Sequence, residues 1–223
     1  MRSDDKAHQA RAAVPVPSSL RRKPGAGDVL VLTRSEPYAR FFALEEQDLR
    51  FRRFDGQLSA PVNRAAFVSG DAVTVLPYDP VRDRVLLVEQ FRFSPFVRGD
   101  ANPWQLEAIA GRIDPGETPE AAAIREGQEE AGLRLDRLLP IGNYYPSPGA
   151  VTEYLYSYLG LVDLPDSAAG VFGLASEAED IRAHLVGFDD LMALCASGEV
   201  ANAPLLLSAL WLARERPGLR GQV

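Results

Sequence analysis

The chain has 223 residues, 46% of them hydrophobic and 25% charged, which suits a globular domain with its own core and an appendage. No apolar run reaches the roughly 18 residues of a membrane span and the N-terminus lacks the apolar block of a signal peptide, so a cytoplasmic protein with no membrane partner is expected. A net charge of −7 argues against nucleic acid as a partner, because backbone affinity needs clustered Lys and Arg, yet leaves open phosphate binding through a metal.

Residues 1–27 mix charge, Pro and Gly without apolar periodicity and read as a flexible tail. Asp28–Arg34 and Asp48–Phe54 are expected as strands, with an Asp-Gly turn in "FDGQ" after the second, and residues 28–64 as an N-terminal β subdomain. "AVTVLPYD" and "RVLLVEQFR" are β-rich runs joined by the turn "DPVRD", followed by the short apolar run "PWQLEAIAG". "RLLPIGNYY", "TEYLYSYLGLV" and "IRAHLVGF" are further strands. "FDDLMALCASGE" and "APLLLSALWLARER" are helices, the second stopped by Pro217, which makes 65–216 the main domain and 217–223 a tail. Strands around a central helix, closed by helices, predict a mixed α/β sandwich. The lone Cys195 can form no internal disulfide and reads as a small apolar filler.

The central helix lies in "GRIDPGETPEAAAIREGQEEAGL", Gly111 to Leu133. Thr118 is a good N-cap, Pro119 suits the first helical position and Gly132 a C-terminal stop, so the helix is expected from Pro119 to Ala131. Spacings of three and four residues put Glu126, Glu129 and Glu130 on one face, with Ala121, Ile124 and Ala131 roughly opposite as a packing face. Like charges four apart destabilise a helix by a few tenths of a kcal/mol and need compensation. Arg125, four before Glu129, is one source; a divalent cation is the other, since carboxylate oxygens are hard ligands suited to Mg²⁺.

Gly111, five residues, Glu117, seven more, then Arg125-Glu126-x-x-Glu129-Glu130-x-Gly132-Leu133: this spacing resembles the Nudix hydrolase signature. Gly127 departs from it, standing where the family usually has an apolar residue, and costs about 1 kcal/mol of helix propensity unless close packing requires it. The resemblance implies a Nudix-type α/β/α sandwich with a mixed sheet, and metal-dependent hydrolysis of a nucleoside diphosphate linked to another moiety. It also implies Mg²⁺ or Mn²⁺ on Glu126 and Glu130 with the Ala110 carbonyl, assistance from Glu129, Arg125 orienting the carboxylates, and Gly111 letting the preceding strand turn close to the metal. A metal screens the diphosphate charge and activates a water.

"LPYDPVRDRVLLVEQFR", "PWQLEAIAG", "SPG" with Pro148 fifteen residues past the motif, and "GLASEAEDIRAHLV" are similar to the ADP-ribose pyrophosphatase branch, as are "RFFAL" and "RFDGQLS" near the N-terminus. That similarity implies hydrolysis of ADP-ribose to AMP and ribose 5-phosphate. It implies Phe41 stacking on adenine, Arg64 and Arg92 approaching the diphosphate, and Ser147 in a ligand-holding loop. It also implies Glu177 as the water-activating base, Glu179 as a further metal contact, and a homodimer whose subunits exchange N-terminal strands to complete each other's sites.

Plainer readings stand beside these. Phe41 is either a stacking ring or strand core. Arg92 ends a buried-looking strand and suits bidentate phosphate contact, with surface pairing as its competitor. Trp104 reads as core, and Glu107 as either a ligand contact or a strand-face charge. Ser176 with Glu179 fits a capping box, but "DIRAHLV" follows at once and reads as a strand, which leaves Glu177, Glu179 and Asp180 in a loop. The functional alternatives are another nucleotide sugar, such as GDP-mannose or ADP-glucose, and a non-catalytic ADP-ribose sensor. A sensor would add a DNA-binding module and often lose motif glutamates; neither holds in this sequence.

Overall fold

A computed structural model describes residues 20–174 and 179–221, and the chain divides into two compact units. One comprises the chain as far as Gly70 together with Ser147–Glu153; the other comprises Asp71–Pro146 and everything from Tyr154 onward.

In the first unit β1 (Val29–Ala39), β2 (Ala43–Phe51) and β3 (Val62–Val68) form an antiparallel sheet in chain order. β1 runs past Arg34 to Ala39, and its register shifts between Ser35 and Tyr38, where Pro37 has no N–H to give the ladder. β2 begins at Ala43 rather than Asp48, because its charged residues find cross-strand partners that the apolar pattern does not advertise: Arg34 pairs with Glu45 at 2.6 Å, and Thr33 and Asn63 both donate to Asp48. The Asp-Gly turn is present, with Gly56 at φ +85°. The division expected after residue 64 falls inside β3. Ser147–Glu153 joins this unit through Phe67, whose N–H donates to Ala150 and whose carbonyl accepts from Thr152.

The second unit holds β4 (Ala72–Asp79), β5 (Arg84–Phe91), a short helix α1 (Phe93–Arg98), β6 (Trp104–Glu107), β7 (Ile109–Arg112), α2 (Pro119–Ala131), β8 (Arg137–Tyr144), β9 (Leu155–Leu161), β10 (Gly170–Phe172), β11 (Ile181–Gly187), α3 (Phe188–Ser197) and α4 (Ala203–Arg220). Its eight-stranded sheet has the order β10-β11-β5-β4-β9-β8, with β6 on β5 and β7 on β4; β4 and β9 are parallel, so the sheet is mixed. Every residue of β4 is buried. Strand alternation sends Val73, Val75, Leu86 and Val88 to a core with Ala122, Ala123 and Ala131 of α2. It sends Leu76, Tyr78, Val85 and Leu87 to a second core with Leu191 of α3 and Leu205, Ala209 and Leu212 of α4. The expected α/β/α sandwich with a mixed sheet is the observed one.

"PWQLEAIAG" is two strands rather than one run, broken at Ala108 as the chain leaves β5 for β4. α4 does not stop at Pro217 but continues to Arg220. A proline inside a helix costs about 3 kcal/mol, and here tertiary anchoring offsets it. Arg216 and Arg220 both bind Asp83 in the β4–β5 turn, where the Tyr78 hydroxyl also donates at 2.8 Å. Among the described residues no helix is long and apolar enough to cross a membrane.

Candidate active site

α2 has the boundaries its capping residues predict. Thr118 accepts from the Ala121 N–H at 3.2 Å, Pro119 opens the helix and Gly132 closes it at φ +63°. Its buried face differs from the expected one. Ile124 is 44% exposed and Ala121 is exposed, whereas Ala122, Ala123, Gly127 and Ala131 pack inward together with Glu126 and Glu130. The acids therefore flank the packing face instead of opposing it, since one helix of small residues lies close enough to the sheet to carry both inward. Gly127 follows from the same closeness: a Cβ there would lie 2.6 Å from Leu135 Cδ1, so its weak helix propensity is a packing requirement.

Two backbone features of β7 receive the acids. A Cβ on Gly111 would sit 1.8 Å from Glu126 Oε1, so glycine here makes room for a carboxylate rather than only easing a turn. The Ala110 N–H donates to Glu130 at 3.1 Å. Arg125 is the orienting residue the sequence suggests. Its guanidinium donates to Glu117 at 3.1 Å, to Glu126 at 2.6 Å, to Glu129 at 3.1 Å and to the Arg112 carbonyl at 2.9 Å. Glu129 thus lies in the Arg125 clamp, while Glu117, which the motif supplies without an assigned role, is its main anchor.

Glu126 is 8% exposed and Glu130 2%. Burial pushes the Glu130 carboxyl up to about 8; the Ala110 N–H opposes this and the charges of Glu126 and Glu179 add to it. Burial raises Glu126 as well, against the pull of Arg125. Glu117 is held low by Arg125.

Arg92 and Glu107 are brought together as a bidentate pair, Nε to Oε1 at 3.1 Å and Nη2 to Oε2 at 2.6 Å, and Gln90 also donates to Glu107. Burial works against the Arg92 charge, but Glu107, Glu130 and Glu179 together raise its pKa. Glu179 is tied to Leu174: its carboxylate accepts from the Leu174 N–H and its N–H donates to the Leu174 carbonyl, beside Gly173 at φ +107°. Glu179 and Asp180 carry no helix and lead straight into β11, so a strand, not a capped helix, follows. Glu177 and Ser176 lie outside the described residues.

Phe41, Arg64 and Ser147 belong to the first unit. Phe41 is 69% exposed with its ring edge-on to Phe42 at 4.8 Å, which removes the reading of it as core. Arg64 is exposed and donates to the Asn63 carbonyl; the Ser147 carbonyl accepts from Ala150 and Val151 in a tight loop. Trp104, expected in the core, is 51% exposed because it starts the four-residue β6, which pairs only with β5.

Among the described residues no three His, Cys, Asp or Glu side chains converge as a complete cation cage. Mg²⁺ asks for less, favouring one or two carboxylates with waters and substrate phosphates. Two buried glutamates whose charges repel, a glycine that leaves space beside one of them and a backbone amide unit beside the other fit such an ion.

The family described as NUDIX domain matches residues 68–207. The chain belongs to the Nudix family. An ADP-ribose pyrophosphatase of Escherichia coli strain K12 is 38% identical to it over 92% of this chain and 98% of its own length. The ADP-ribose pyrophosphatase of Haemophilus influenzae is 35% identical over 83% and 86%. A GDP-mannose pyrophosphatase of Yersinia pestis is 32% identical over 65% and 71%. A crystal structure of an ADP compounds hydrolase superposes with a TM-score of 0.65, covering 90% of this chain and all of that one at 22% identity, and so shares the Nudix fold. Metal dependence accompanies this family, and the chain is a Nudix hydrolase.

Proposed function

We propose that this Nudix hydrolase cleaves the diphosphate of ADP-ribose to AMP and ribose 5-phosphate with Mg²⁺, or Mn²⁺ in its place. The observation that carries the reading is the buried Glu126–Glu130 pair beside Gly111 and Ala110, in a chain similar over nearly its whole length to ADP-ribose pyrophosphatases.

Glu126, Glu130, the Ala110 carbonyl and Glu179 would hold the cation. When bound, it supplies charge neutralisation at the diphosphate oxygens and a more acidic water. Arg125 fixes the rotamers of Glu126 and Glu129 from its anchor on Glu117. Arg92, pre-oriented by Glu107, offers its guanidinium to the diphosphate, and the same pairing keeps Glu107 from repelling the substrate. Glu177 takes the proton from the attacking water; a carboxylate outside the metal's own ligands is the better base. Phe41 stacks on adenine, Arg64 approaches the diphosphate and the Ser147 loop helps hold the ligand. The exposed apolar β1 supports a homodimer in which the N-terminal sheet of one copy completes the site of the other.

The GDP-mannose pyrophosphatase relatives favour a second reading, hydrolysis of another nucleoside diphosphate sugar. A panel of ADP-ribose, ADP-glucose and GDP-mannose assayed with Mg²⁺, with and without EDTA and with products identified, separates the two. A kcat/KM for ADP-ribose no higher than for the others would reject the first reading, and turnover in EDTA would reject both.

A further inference from the structure

Consecutive residues of β5 face opposite sides of the sheet. Val88 packs with α2, and Leu87 with α3 and α4, so Glu89 lies on the face away from the catalytic helix. Arg182 of β11 stands opposite Glu89 in the ladder, and Trp104 of β6 stands opposite Phe91, two positions further along the same face. Glu89, Arg182 and Trp104, with Asn102, Val171 and Asp180, line a cleft of about 220 Å³.

The lining carries both signs. The Glu89 carboxylate is 2.8 Å from His184 Nε2 and 3.9 Å from Arg182 Nη1, and Asp180 adds a second carboxylate. A bare cation would meet Arg182 and a bare anion would meet two carboxylates, so a neutral group with donors and acceptors side by side satisfies the cleft best. Trp104 adds a π face, held by an edge contact to Phe91 at 5.6 Å. Asn102 spends its side-chain carbonyl on the backbone N–H of Trp104, which leaves its amide hydrogens for a ligand.

We propose that this cleft binds a purine base of the guanine type, at a place separate from the diphosphate site. The adjacent N1–H and N2–H donors of guanine match a carboxylate, its O6 and N7 match an arginine, and its bicyclic face stacks on an indole. Adenine lacks the paired donors and binds less well.

Guanosine, which has no diphosphate, is titrated into the full chain by calorimetry and by Trp fluorescence in a Trp211→Phe background, where Trp104 is the remaining indole. Saturable binding with quenching is expected, weakened about tenfold or more by Glu89→Gln and by Arg182→Met and unchanged in Glu130→Gln, since a lost base contact costs about 1–3 kcal/mol. Circular dichroism identifies any variant that fails to fold, and the exposed Arg182 keeps the test available if Glu89→Gln does so. Absence of saturable binding, loss of binding in Glu130→Gln, or competition between guanosine and ADP-ribose would overturn the proposal. Equal binding of adenosine would overturn the guanine assignment.

Discussion

The two sheets of this protein treat water in opposite ways. In the eight-stranded sheet β4 is buried throughout, and the covering helix α2 places two glutamates in an almost dry setting. In the three-stranded sheet all of β1 is exposed, Val29, Val31 and Leu32 included, and its polar residues are satisfied across strands at the surface. A covered sheet can store electrostatic tension for chemistry. The uncovered apolar strand is where the proposed second subunit would pack, since the buried apolar cluster of this sheet is only the small pair Ala43 and Val68.

The largest effect should come from relaxing that stored tension. Glu130→Gln removes an ionisable carboxyl whose burial is costly, so activity should fall on the order of 10²–10³-fold, as for other buried electrostatic groups at reaction centres, while the melting temperature at pH 7 holds or rises. A drop in both would mean that Glu130 is structural and would break the comparison. Gly111→Ala tests the space beside Glu126. The added methyl collides with the far end of a flexible side chain, so Glu126 swings aside and kcat falls about tenfold or more with little change in melting temperature. Full activity would show that the position of Glu126 is unimportant.

On the open sheet the expected effects concern binding and assembly. Phe41→Ala should raise the KM for ADP-ribose about tenfold with kcat and stability nearly unchanged, since stacking on a base is worth about 1–3 kcal/mol and the ring is largely exposed. Val31→Lys should lower the sedimentation coefficient from that of a dimer towards that of a monomer and reduce activity with it. A fully active monomer would remove the need for a second subunit.

The smallest effect contrasts the covered unit's anchor with the surface pairs. Arg216, with Tyr78 and Arg220, holds the Asp83 carboxyl below its ordinary value near 3.8. A depressed carboxylate contributes stability that is complete above the unfolded value and lost as the pH falls through the folded one. Asp83→Asn should therefore lower the melting temperature at pH 7 and flatten its decline below about pH 4; an unchanged acid limb would show that the clamp contributes nothing.

Local chemistry made the catalytic helix legible, since Thr118, Pro119 and Gly132 act within one turn of their own positions and the glutamate spacing follows from helical geometry. The same locality explains why β4, β5 and β9 could be read as strands from their composition. β3 and β10 escaped notice because short, mostly exposed strands have little apolar pattern, and β6 and β7 merged because their separation depends on which neighbour each pairs with.

The sequence by itself determined the Nudix motif, the ends of its helix and the placing of Glu126, Glu129 and Glu130 on one side of it, all of which depend on residues within a few turns of one another. Tertiary structure alone decided that Glu126 and Glu130 point inward beside Gly111 and Ala110, that Arg92 is held by Glu107, that α4 continues through Pro217 to reach Asp83, and that Trp104 faces a cleft instead of the core. Each of these joins residues from separate elements, and its energy comes from burial and charge contacts that exist only once the sheet has brought those elements together.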